Sequence, residues 1–231
     1  MPFHWSSHAS HIQSVFSPWQ QQDGYELSFL LVAEQALGIQ LPTMLREFYR
    51  VWGRRTDLTR TRQTLFHPDH LELQSGWLLF AEESQAIYTW AIPGTALLLP
   101  DPPVYYSEPP AERGERKWTL SHRHLSDFFD YLTYGHALSH GAPYGGVVHC
   151  CSDATRIHIA DIWHPIEVAS APMGVFPDPT WRWVLYGSTG LVMDCTGSLW
   201  IAAQTAALRD MVRQQLNLTW DALWEQKPRG R

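Results

Sequence analysis

With 231 residues the chain is long enough for one large domain or two small ones, and a fold of this size needs no disulfide or metal staple. Apolar residues make up 45% and charged residues only 17%, a balance that excludes intrinsic disorder, where low hydrophobicity goes with high charge. A net charge of −6, from 17 basic and 23 acidic residues, argues against nucleic-acid binding, which needs concentrated Lys and Arg, and suits a basic protein partner.

Residues 1–24, rich in Ser, His and Gln, have no apolar period and read as an irregular lead-in. From Tyr25 a helical pattern places Leu27, Leu30, Leu31 and Leu37 near one face, and Gly38 supplies the left-handed residue that ends a helix. Pro42 suits the first turn of a second helix, in which Leu45, Phe48, Tyr49 and Trp52 recur at i, i+3, i+4 and i+7 before Gly53.

Beyond the polar stretch 54–64 the period changes. Segments 77–80, 86–92, 96–99 and 104–106, separated by Glu-Glu-Ser, Pro-Gly and Asp-Pro-Pro, predict consecutive strands of an antiparallel meander. Ser121 is placed to cap a mid-chain helix with the stripe Leu125, Phe128, Phe129 and Leu132. Further strands are expected at 147–151, 156–162, 181–186, 191–194 and 198–202, with 163–180, which holds four prolines, as a long surface connection. A last helix over 206–216 carries Leu208, Met211, Val212 and Leu216 on one side. The class is α+β: two N-terminal helices packed on an antiparallel sheet, a mid-chain helix, then further strands and a C-terminal helix.

Three cysteines, two of them adjacent (Cys150 and Cys151), do not make a disulfide scaffold. The N-terminus has no basic stretch followed by an apolar one, and no run reaches the roughly 18–20 apolar residues of a bilayer crossing, so a cytoplasmic location with no membrane contact is expected.

Three segments in order carry a resemblance. They are Leu37-Gly38-Ile39-Gln40-Leu41-Pro42-Thr43-Met44-Leu45-Arg46-Glu47-Phe48-Tyr49, then Leu71 with Leu79-Phe80-Ala81-Glu82-Glu83-Ser84-Gln85 and Trp90, then Asp101-Pro102-Pro103-Val104-Tyr105. Trp118 and Leu120-Ser121 with Leu125-Ser126-Asp127-Phe128-Phe129 follow. Together they resemble the SUKH superfamily, the Smi–Knr type of domain, best over 25–140 and more loosely over 141–231, where Trp181-Arg182-Trp183-Val184-Leu185-Tyr186 and Trp220 enter. The resemblance implies a single domain over 25–231 with two helices against an antiparallel sheet, and a role in holding other proteins. Bacterial members are commonly immunity proteins that neutralise polymorphic toxins, often nucleases, whereas fungal relatives are signalling scaffolds. The family has no shared catalytic residues; Trp90 and Asp101-Pro102-Pro103 match family positions, as a buried aromatic and a rigid strand exit.

The chemistry-bearing residues do not assemble a catalyst. His4, His8 and His11, and the pair His136 and His140, have helical spacing for metal binding but lack a His-Glu-x-x-His or Cys-x-x-Cys companion. His149-Cys150-Cys151 lies in an apolar strand, unlike the open setting of a reactive thiol. Gly187-Ser188-Thr189-Gly190 is a hairpin turn rather than a nucleophile elbow. Glu82 and Glu83 alternate across a strand, and Asp127 with Asp130 flanks the helical stripe as a solvated face.

The expected function is therefore non-enzymatic: an immunity protein that binds and occludes a cognate toxin, with no cofactor and no metal. Glu82, Glu83, Asp101 and Glu108, at predicted strand exits, are the expected acidic contact face for a basic partner. An intracellular scaffold of the same fold is the alternative, and a metal-dependent hydrolase using His122, His124, His136 and His140 is a third.

Overall fold

A computed structural model describes residues 15–16, 20–60, 63–109, 116–138, 142–149, 152–162, 164–166, 182–186, 190–195 and 198–225. The class is α+β, with helices beside antiparallel sheets. Backbone proximity divides the chain into two units, Gln20–Leu132 and a second made of Met1–Trp19 with Thr133–Arg231. The resemblance implies one domain over 25–231, and its best-matching stretch, 25–140, nearly coincides with the first unit.

In that unit α1 (Leu27–Leu37) ends as its sequence dictates. Gly38 has φ +68°, and its N–H and that of Ile39 return to Gln35 and Glu34 carbonyls, satisfying groups a helix end otherwise leaves orphaned. The buried face is Leu30, Ala33 and Glu34, while Leu27 and Leu31, expected beside Leu30, are exposed. Position 34 explains the rotation: the Glu34 carboxylate accepts from the Leu41 N–H and from the Arg46 guanidinium, joining the inter-helix turn to α2 (Thr43–Trp52). That helix buries Met44, Leu45, Phe48, Tyr49 and Trp52, the full predicted stripe. Ahead of α1, Gly24 permits a close approach, since a Cβ there would lie 1.6 Å from the Arg50 carbonyl oxygen. A short α3 (Thr56–Thr59) lies in the stretch 54–64, which has no apolar period.

The first sheet has strands β1 (Gln63–Leu65), β2 (Glu72–Gln74), β3 (Trp77–Glu83), β4 (Thr89–Pro93), β5 (Val104–Ser107) and β6 (Thr119–His122) in the order β1-β3-β4-β5-β6, with β2 also on β3. Strands β3, β4 and β5 fall on the expected segments 77–80, 86–92 and 104–106, with 86–88 lying in the turn before β4; β1, β2 and β6 add to the expected meander, and 96–99 departs from it. There Pro93-Gly94 leads into a 3-10 turn, Gly94–Ala96, and no strand forms. Phe80 and Trp90 pack on Phe128 of α4 (Leu125–His136), and Phe129 of α4 stacks on Phe48 of α2 at 4.0 Å. The helix cap differs from expectation. Ser121 is a buried β6 residue bonded to the His122 Nδ1; the cap comes from Asp101, which accepts from the Ser126 N–H and Oγ at 2.9 and 2.6 Å.

The second unit holds a sheet in the order β12-β7-β11-β10-β9-β8: β7 (Tyr144–His149), β8 (His164–Ile166), β9 (Arg182–Tyr186), β10 (Gly190–Cys195), β11 (Ser198–Ala203) and β12 (Ala222–Glu225). The expected strand 156–162 is instead α5 (Asp153–Ile162), opened by Ser152, whose Oγ accepts from the Thr155 N–H. Edge strand β8 falls inside the expected connection 163–180, and Pro165 is tolerated there because an edge N–H needs no partner. Thr205 caps α6 (Ala206–Gln215), which buries Val212 and Arg209 and leaves Met211 exposed, contrary to the expected stripe. Val148, Ile159, Leu199, Ile201, Val212 and Leu216 form the core of this unit. Gly145 and Gly146 are required by close approach: a Cβ would lie 1.8 Å from the Trp224 ring and 2.5 Å from the Trp220 ring. Within the expected lead-in 1–24, Val15 and Phe16 are buried.

Candidate functional site

Strand alternation decides what the first sheet presents on its other face. Register aligns Leu79 with Ala91, Ala91 with Tyr105 and Tyr105 with Leu120, and Trp77 stands two residues before Leu79 on the same side. Trp118, just before β6, lies against this face, stacked on Trp77 at 4.7 Å and 23°, with Tyr105 edge-on to Trp77 at 5.3 Å. The Arg116 guanidinium sits 5.9 Å from the Trp118 ring centroid and donates to the Thr89 Oγ1 at 3.1 Å. Trp77, Tyr105 and Trp118 are half-buried and Leu120 is exposed. The face opposite α4 thus carries aromatics around the buried Leu79 and Ala91, where a solvated antiparallel sheet alternates to polar residues.

At the β1/β2 edge of the same unit a cleft of about 790 Å³ opens. Thr64, Glu72 and Glu82 reach it from the sheet. Its opposite wall is aromatic: Tyr25 stacks on Phe29 at 5.2 Å, and His67 stands edge-on to both at 5.0 and 5.4 Å. Arg54 lies over the Tyr25 ring, 5.0 Å from its centroid, and Arg60 lines the same space. Burial raises the Tyr25 hydroxyl pKa, and the nearby Arg54 and Arg60 charges partly oppose that shift. His67 Nδ1 bonds the Asp69 carboxylate, which holds Asp69 below the usual carboxylate range, and His70 Nε2 lies 3.8 Å from the same oxygen.

The four acids expected to form one contact face are placed differently from one another. Glu82 pairs across the sheet with Thr89, and Thr89 with Ser107, so Glu82, Glu83 and Glu108 stand at one end of the sheet. Glu83 is engaged locally, accepting from Ser84 Oγ and the Gln85 N–H. Glu108 is exposed. Asp101 precedes β5, at the other end of that strand from Glu108, and serves α4 as its cap.

Asp127 and Asp130 are not the solvated face that their spacing predicts. Burial, and then the charges of Asp127 and Asp101, push the Asp130 carboxyl up to about 7, and burial likewise raises Asp127. Their withdrawal from water depends on packing around α4, which no local pattern encodes.

The histidines of the hydrolase alternative are dispersed in environment. His122 is buried against Phe128 and Tyr131, His136 is fully buried, and His124 is exposed, 4.0 Å from Asp101. His140, the N-terminal histidines His4, His8 and His11, Cys150 and Cys151 lie outside the described residues, as do 187–189 of the expected hairpin turn, though β9 and β10 pair antiparallel on either side of it. Among the described residues no group of three His, Cys, Asp or Glu side chains is placed to hold a metal ion, and no helix is long and apolar enough to cross a membrane.

Sequence reasoning missed the aromatic face and the cleft. Trp77, Tyr105 and Trp118 are ordinary strand aromatics in a linear reading, and only a 2-residue alternation count against the Phe80 and Trp90 side would have set them apart. Comparison with protein-family models, with curated proteins and with solved structures found no match.

Proposed function

We propose that this chain is a non-enzymatic protein-binding module, in its most concrete form a cytoplasmic immunity protein that occludes a cognate toxin. The observation that supports it best is the stack of Trp77, Trp118 and Tyr105 with Arg116 on the sheet face away from α4. Trp, Tyr and Arg are the residues that dominate binding energy at protein interfaces, because they bury large rigid surfaces and keep a polar handle. A partner that covers the exposed part of these rings and Leu120 removes apolar area from water at about 25 cal/mol per Å². The resemblance to the SUKH superfamily points the same way.

The test is co-expression with the product of the reading frame adjacent in the native genome. The expected result is relief of its toxicity and a stoichiometric complex on size exclusion. Trp118→Ala should weaken that complex by about 2 kcal/mol, roughly 30-fold, with circular dichroism unchanged. Absence of a complex, or turnover of a small compound abolished by one polar substitution, overturns the proposal.

A further inference from the structure

The cleft beside β1 and β2 carries charges that the fold itself does not use. Several charged side chains of this unit are paired: Glu34 with Arg46, Arg55 with Asp57 and Asp23, Glu47 with Arg50. In the cleft, Arg60, Glu72 and Glu82 make no ion pair among the described residues, and Arg54 has only the Tyr25 ring beneath it. Arg54, Arg60, Glu72 and Glu82, together with Asp69, which His67 engages, thus share a space of about 790 Å³. The volume lies within the roughly 300–1,000 Å³ of specific binding clefts.

A ligand of one sign is poorly served here. A phosphate or an acidic peptide drawn to Arg54 and Arg60 meets Glu72 and Glu82, and like-charge juxtaposition disfavours it. A purely basic segment meets the converse penalty. A group carrying both signs matches both pairs, and the Tyr25, Phe29 and His67 rings give its apolar part a surface to lie on.

We propose that this cleft receives a short polypeptide segment of the partner that carries an acidic and a basic side chain close together, the acid meeting Arg54 and Arg60 and the base meeting Glu72 and Glu82. The assignment rests on the protein-binding reading and names the chemistry of what is bound. Glu82 gains a definite role in it, since it stands both at the acid-bearing end of the sheet and in the cleft wall.

The experiment pans a phage library of random twelve-residue peptides on the immobilised full chain. Affinities of the enriched peptides are then measured by fluorescence anisotropy against the native chain, Arg60→Glu and Glu82→Lys. The expected peptides carry both an acidic and a basic residue, and each reversal weakens them at least tenfold. Exchanging the peptide's acid for lysine restores binding to Arg60→Glu, a rescue that structural damage does not produce. If a reversal fails to fold, Arg60→Gln or Glu82→Gln takes its place, with a smaller loss expected. No enrichment, enriched peptides without both signs, or affinities indifferent to both reversals overturn the proposal. A toxin complex that forms and ignores the cleft variants sinks this inference and leaves the protein-binding reading standing. Cleft-dependent peptides with no toxin complex do the reverse for the immunity function.

Discussion

Replacing Asp130 by Asn removes a titration that the fold forces toward neutrality. The Asp130 carboxyl is raised to about 7 by burial and by Asp127 and Asp101, whereas in the unfolded chain an aspartate titrates near about 3.9. Between those values the folded state keeps a proton that the unfolded state has released. Stability therefore falls as pH rises through this window and levels off above about 7, with a limiting slope of about 1.4 kcal/mol per pH unit. Three units give an upper bound of about 4 kcal/mol. The side chain is half-buried, so water screens it, and Asp127 shares the titration, which leaves about 2 kcal/mol. An amide keeps the shape and hydrogen-bonding capacity but has no charge to desolvate. Asp130→Asn should match the native chain near pH 4 and exceed it by about 2 kcal/mol near pH 8 in urea unfolding. The native carboxyl should titrate near 7 by ¹³C NMR. A midpoint near 4, together with superimposable urea curves at pH 8, refutes the account of α4 given above.

Other substitutions probe other links. Gly145→Ala drives a methyl to within 1.8 Å of the Trp224 ring, and the overpacking should cost about 1–3 kcal/mol, read as a lower thermal midpoint. Asp101→Ala removes the acceptor for the Ser126 N–H and hydroxyl and should cost about 1 kcal/mol in chemical denaturation. Glu108→Lys, on an exposed side chain at the acid-bearing end of the sheet, should slow association with a basic toxin several-fold at low salt in stopped-flow measurements. The difference should vanish near about 1 M salt, where the Debye length is about 3 Å; equal rates at low salt rule out charge steering there.

Much of the fold is legible along the chain where its cause is local. Gly38 ends α1 because a left-handed residue is needed within one turn, and the Leu45, Phe48, Tyr49, Trp52 stripe follows from 3.6-residue periodicity alone. Strands β3, β4 and β5 announce themselves by apolar runs between turn residues. The failures share a different cause. Segment 156–162 is too short for its period to separate helix from strand, and the deciding Ser152 cap lies outside it. Ser121 looks like a cap because it precedes α4, yet Asp101, 25 residues away from Ser126, does that work. Strand β12 exists because Trp220 and Trp224 fit against two glycines of β7, a pairing across more than 70 residues.

The amino-acid sequence by itself determined the α+β class, most element positions and the acidic, aromatic-rich composition of the chain, because propensity, capping and periodicity act over a few residues and composition needs no fold. Tertiary structure alone decided which aromatics face water, that Asp130 leaves it, and that Tyr25, Arg54, Arg60, His67 and Glu82 border one cleft. Burial and charge proximity are set by the packing of elements distant along the chain, and that information resides in no single stretch of it.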